Sequence, residues 1–245
     1  PGLKEDRKAV LGGGLSILYT LATHFGIVAL QPARGALRQG VIFDLQDRLH
    51  GSLDSEHPHD MRDDSVLQMQ LRFGIDRLQA ERVQTVARTL HTSLAPQAPL
   101  EVQRELDWAC ALHEMGMMVS HHDHHRHSAY LLGHVDAPGF SQSQQRRLAD
   151  LVMGQRGGLR KLEEALREEA FALQVLSLRL AVILCHARNL PMLSALTASR
   201  HGRTVVLSLE AGWAQAHPRT LYLLREEQAA WARREFFRLS LRTRA

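Results

Sequence analysis

Six of the fifteen histidines fall between His113 and His127, in the string LHEMGMMVSHHDHHRHSAYLL. Imidazoles this close can ligate a divalent metal, hold a phosphate as charged donors, or relay protons. His121 and His125 stand four apart, and His125 and His127 flank Arg126. A bare tract of this kind also fits a set of solvated loop residues, so its neighbours must decide.

Leu112–Gly116, LHEMG, is close to LHDIG, the core of the metal-dependent HD phosphohydrolases. The metal site implied by that resemblance needs a remote His, the adjacent His-Asp pair and a distant Asp. Here Glu114 stands in place of the Asp. The helix that should give the first His offers Gln79, Ala80 and Glu81, and the long helix that should give the last Asp offers Val182, with His186 one turn beyond. Two of four ligand positions lack a donor, so no metal is expected at the degenerate pair His113 and Glu114.

A second motif lies near the start. Gly12, Gly13 and Gly14 read as a tight turn before a helix, where backbone amides could approach an anion. No Walker lysine follows, which excludes a P-loop NTPase. Of 30 basic residues 27 are arginine, the formal charge is +4 and the pI is near 9.5. Arginine's planar fork suits phosphate oxygens, although a general preference for arginine codons gives the same bias. The arginines are mixed with acids, as in RREFFR, and no basic helix is interleaved with aromatics, which argues against specific nucleic-acid binding. Cys110 and Cys185 lie in apolar runs without metal-ligand spacing and read as buried thiols of a reducing cytoplasm. No apolar run reaches a membrane span.

These groups need elements to position them. Aromatics make up 5% of the chain, so its core must be mostly aliphatic, which suits packed helices. Residues 1–50 read as α/β: a helix after the glycine turn, a strand at Ile27–Leu30 and a helix over Leu37–Leu49. Residues 51–61 read as a linker. Helices are expected over 62–73, 76–94, 100–118, 125–134, 141–152 and 160–188, with Ser141 and Gln144 as a capping box. A strand is expected at Thr204–Glu210, a helix from about Pro218 and a terminal strand at Arg238–Arg242.

Taken in order, VLGGGLSILYTLATHFGI, ARGALRQGVIFDL, DWACALHEMGMMVSHHDHHRHSAYLLGHVDAPGFSQSQQ and LRLAVILCHARN resemble the exopolyphosphatase and guanosine-pentaphosphatase (Ppx/GppA) family of the actin-like phosphotransferase superfamily. The resemblance covers nearly the whole chain. It implies a mainly α fold: residues 1–50 as the end of an actin-like second lobe, 51–190 as an HD-like helical domain and 191–245 as a small α/β cap. It implies hydrolysis of a terminal phosphoanhydride of inorganic polyphosphate or guanosine pentaphosphate, with the catalytic glutamate and Mg²⁺ on a lobe that this sequence does not contain. No catalytic residue and no cofactor are then expected here. It further implies that Gly12, Gly13, Gly14 and Arg38 line the inter-lobe cleft, with Gln39 in place of the usual Glu. His121, His125, Arg126, His127 and Ser128 would lie along a basic passage for the polyanion, and Gln155 stands where relatives carry a His. A cytoplasmic homodimer without membrane contact is the implied setting. Two other classes stay open on the residues: an independent HD-type metal-dependent phosphohydrolase using His113 and Glu114, and a non-catalytic regulatory module.

Overall fold

A glycine triplet is a poor helix former, each residue costing about 1 kcal/mol against alanine. In the computed structural model, which describes residues 5–29, 41, 60–233 and 236–244, Gly12–Gly14 nevertheless lie inside helix α1 (Glu5–His24). The expected glycine turn is corrected. Among the described residues, a Cβ at any of the three would meet nothing within 4 Å. Inside a helix the amides are spent on carbonyls four residues back and no longer point at an anion. Gly26, at a φ of +63°, follows the end of α1; among the described residues Ile27–Ala29 are not in a strand, where one was expected, and Leu30 lies outside them. Arg38, Gln39 and most of the helix predicted over 37–49 lie outside the described residues; Val41 is helical.

The chain divides into two units, 1–58 and 59–245. In the first, α1 carries exposed Leu15, Leu18 and Leu21. The second holds the histidine tract and is built by local signals that a sequence can carry. Asp60 caps α2 (Met61–Arg72), its carboxylate accepting from Arg62 N at 2.9 Å. Asp76 caps α3 (Arg77–Leu94) in the same way through Gln79 N, at 3.0 Å. Helix α4 (Leu100–Leu112) starts after Pro99, α5 spans His124–His134, and α6 (Gln142–Gly154) opens with the expected Ser141–Gln144 capping box. Helix α7 (Glu169–Leu184) carries buried apolar residues all round, with Gln174, Ser177 and Arg179 buried among them, which marks a helix enclosed by the fold. It packs against α3, α4 and α6, burying Phe171, Leu176, Leu178 and Leu180.

Two helices are shorter than predicted. The helix expected over 100–118 stops at Leu112, and a 3₁₀ turn (Met115–Met118) replaces its last part. The helix expected over 160–188 begins only at Glu169. Before it, 3₁₀ turns at Leu159–Leu162 and Ala165–Arg167 turn Leu159, Leu162 and Leu166 inward, and Glu168, at ψ 114°, interrupts the helical path.

The cap is a three-stranded sheet of order β1-β2-β3. β1 (Leu196–His201), which the sequence reading missed, pairs antiparallel with β2 (Thr204–Glu210) across Gly202 at φ +57°. β3 (Arg238–Arg244) pairs parallel to β2 after a crossover through α8 (Ala211–Ala216) and α9 (Pro218–Ala232), with Pro218 in the first turn of α9. The predicted strands at 204–210 and 238–242 and the helix from Pro218 stand as read. The protein is thus mainly helical with a small mixed sheet. No helix among the described residues is long and apolar enough to cross a membrane.

Candidate anion site

The start of α5 is held by a glycine–serine lock. Gly116 N donates to Ser128 Oγ at 2.7 Å, and that hydroxyl donates to His113 O at 3.1 Å. Ser128 is therefore a fully buried tie between the 3₁₀ turn and α5. The two segments touch backbone to backbone: a Cβ on Gly116 would lie 2.2 Å from His124 O and 2.4 Å from Ser128 N. Backbone atoms cannot swing aside as a side-chain tip can. Gly116→Ala is expected to destabilise the domain by about 3 kcal/mol, read as a lower urea midpoint; an unchanged midpoint would show that the turn and α5 are not locked.

His113 and Glu114 sit beneath this lock, and the Glu114 carboxylate is paired with a guanidinium. His113 Nδ1 lies 2.7 Å from Cys110 O, and Nε2 is 4.0 Å from Glu114 Oε1. Glu114 accepts from Arg188 at 2.9 Å, and Arg188 also bonds Asp76. Burial pushes the His113 imidazole below its ordinary value. Gln79 Nε2 donates to Cys185 O at 2.9 Å, and His186 Nε2 pairs with Thr220 Oγ1 at 3.0 Å. Gln155 Nε2 donates to His113 O at 2.7 Å. The carboxylate that would face a cation faces a guanidinium instead, so these residues do not fit a divalent metal. No group of three or more His, Cys, Asp or Glu suited to a metal occurs among the described residues.

The first turn of α5 opens onto a cleft of about 480 Å³. Asp123, His125 and Arg126 line one side, and Gly157, Gly158, Arg160 and Lys161 the other. Asp123 takes the left-handed conformation, φ +54° and ψ 27°, which is uncommon for a residue with a side chain. Its carboxylate lies 3.4 Å from Arg126. His125 is 3% exposed, and its Nδ1 has no hydrogen-bond partner among the described residues. Burial, then the Lys161 charge, hold His125 down at about 4, so it is neutral at neutral pH. Gly157, at φ +76°, carries the opposite wall past His125. Lys161 Nζ donates to Arg156 O at 2.9 Å. Partial burial and the nearby Arg179 and Arg126 charges lower its ammonium to about 8.

Of the histidine-tract candidates, His125 and Arg126 line this cleft and the others do not. His121 is exposed and does not line the cleft, Ser128 is the buried tie, and His127 packs its Cβ towards Gly116. Sequence reasoning missed Gly157, Gly158, Arg160 and Lys161. The visible signal was a glycine pair followed by LRK, thirty residues beyond the histidines.

Helices in this order, a Glu114–Arg188 pair at the HD position and a three-stranded sheet define an HD-like helical domain with an incomplete set of metal donors. Residues 61–228 match the family model described as Ppx/GppA phosphatase, domain III, and the chain belongs to that family. A guanosine-5'-triphosphate,3'-diphosphate pyrophosphatase of Pseudoalteromonas translucida is 31% identical over 239 residues, 95% of this chain and 47% of that protein. The protein of the same description from Photobacterium profundum is 32% identical over 230 residues, 92% of this chain and 45% of that one. The chain spans about half the length of the curated relatives it matches.

Proposed function

We propose that this chain serves a phosphoanhydride hydrolase acting on inorganic polyphosphate or guanosine pentaphosphate, and that its own part is to grip the polyanion in the cleft at the start of α5. The observation that carries this is the convergence of Arg126, Arg160 and Lys161 with the buried His125 on one cleft at a helix N-terminus. Helix N-termini favour anions through their free amides and dipole. Arginine forks and a lysine point charge supply charge-assisted bonds to phosphate oxygens. His125, neutral at neutral pH, can offer one N–H without adding a charge that must be desolvated. Bond cleavage is assigned to the part of the relatives outside the aligned region, because here the carboxylate of the HD pair is bonded to Arg188 and the other two HD positions hold Gln79 and Val182. The reading as an independent HD-type metal enzyme is not favoured, for the same reason.

Lys161 gives the test its sign. Its ammonium is charged below about 8 and loses the proton as pH rises through that value. Polyphosphate affinity is therefore expected to fall between pH 7 and 9, by about tenfold for the loss of one charge-assisted contact. In Lys161→Arg, which stays charged, the curve should be flat over that range. A wild-type affinity unchanged from pH 7 to 9, or no binding at either pH, counts against the cleft as the polyanion site.

A further inference from the structure

We propose that Lys161 is an acyl-acceptor site, at which a small acyl phosphate docks its phosphate in the cleft and transfers its acyl group to Nζ. The inference rests on reading the cleft as an anion site. Three observations carry it. Lys161 is the single lysine from residue 59 onward, the others being Lys4 and Lys8. It lines the cleft and is open to solvent, so a small molecule can reach it. A methyl group placed on Gly157 would lie 3.6 Å from Lys161 Nζ and 3.4 Å from His125 Nε2, so amine and imidazole converge over a bare backbone. A phosphate held by Arg126, Arg160 and the α5 terminus would carry the attached acyl carbon to the amine.

The groups that face Lys161 set its charge. Arg126, Asp123 and His125 face it from the start of α5, and Arg179 from α7; Arg160 shares its turn. The cations outweigh the one carboxylate, and with partial burial they leave a sizeable share of the amine unprotonated near pH 8. An unprotonated amine is the nucleophile. In the step, the nitrogen lone pair attacks the acyl carbon and an N–C bond forms. The C–O bond to phosphorus-bound oxygen breaks, and phosphate departs with the proton the amine gives up. The product is an uncharged amide in the cleft and one hydrogen phosphate. The amide removes a cation from the anion site, so acylation and polyanion binding should oppose each other.

The test treats the whole chain with acetyl phosphate at pH 8 and reads intact mass and peptide maps over time. Lys161 should be acetylated about tenfold faster than Lys4 or Lys8, because the cleft docks the phosphate beside its amine. Saturating polyphosphate should suppress that labelling at least tenfold, and Lys161→Arg should leave only slow labelling of Lys4 and Lys8. With p-nitrophenyl acetate, which has no phosphate to dock, polyphosphate should protect less. Equal labelling of the three lysines, or Lys161 labelling indifferent to bound polyphosphate, overturns the proposal. Polyphosphate binding is measured on the same sample: binding without preferential labelling sinks the acyl-acceptor site and leaves the cleft reading standing, whereas absence of binding sinks both.

Discussion

Replacing Arg126 and Lys161 together by alanine should weaken polyphosphate binding by about 100-fold at low salt. The two side chains reach the cleft from opposite walls, one from α5 and one from the turn after Gly157–Gly158. Each can supply a hydrogen bond between charged partners, and two such bonds are together worth about 3 kcal/mol, which is that factor. The loss should shrink as salt rises. Fewer ions are released when fewer charges are neutralised, so the plot of log affinity against log salt should become shallower by about one to two. Neither side chain is part of the core, so the urea midpoint of the variant should match that of the parent. His127→Ala is the internal control. His127 does not line the cleft and should leave affinity within about twofold. A double variant with parental affinity, or a His127 variant as weak as the double one, would move the anion path away from this cleft.

The other large effect concerns stability. Arg179 of α7 and Glu227 of α9 are both about 5% exposed, and each of the three Arg179 nitrogens donates one hydrogen bond. Its Nη2 donates to Glu227 Oε2 at 2.7 Å and its Nη1 to Gly154 O at 2.7 Å, while Trp231 Nε1 donates to the other Glu227 oxygen at 2.6 Å. Removing one partner leaves a charge buried without its counter-ion. Glu227→Ala should therefore destabilise the 59–245 unit by about 3–5 kcal/mol in urea denaturation. Arg179→Met combined with Glu227→Met should recover most of that loss, since an apolar pair leaves no uncompensated charge. If the single and double variants lose the same stability, the pair is not the buried ionic joint described here. The joint also ties the cap to the cleft. Gly154 ends α6, and the chain that follows it runs through Gly157 and Gly158 to Lys161. A Cβ on Gly154 would lie 2.9 Å from Leu162 and 3.1 Å from Val175, so this corner has little room to shift.

The helical frame was legible in the sequence because its signals are local. Asp60, Asp76 and Ser141 each cap a helix within three residues of themselves, and apolar spacing along α3 predicts the face that buries Val83, Val86 and Leu90. The alternation in Thr204–Glu210 and the proline at 218 were equally local. Where reading failed, the deciding atoms were distant in sequence or missing from the pattern. Leu196–His201 is a weak strand by composition and exists because β2 pairs with it. The end of α4 is set by Gly116 pressing on a helix that starts eight residues later. The glycine triplet failed differently: three permissive residues fit a turn or a helix, and the sequence alone did not choose.

For the site, the sequence determined the supply of charge. It placed His125 and Arg126 side by side, left Glu114 where an HD metal site needs Asp, and kept one lysine in the last 187 residues. It also fixed the family, through motifs spread along the chain. Tertiary structure decided which of these groups meet. It turned Ser128 into a buried tie, gave Glu114 to Arg188, and brought Lys161 across to His125 over Gly157. The reason is one of range. Capping and periodicity act between residues a turn apart, whereas a charge pair or a cleft wall joins side chains whose separation along the chain carries no pattern until packing has set their separation in space.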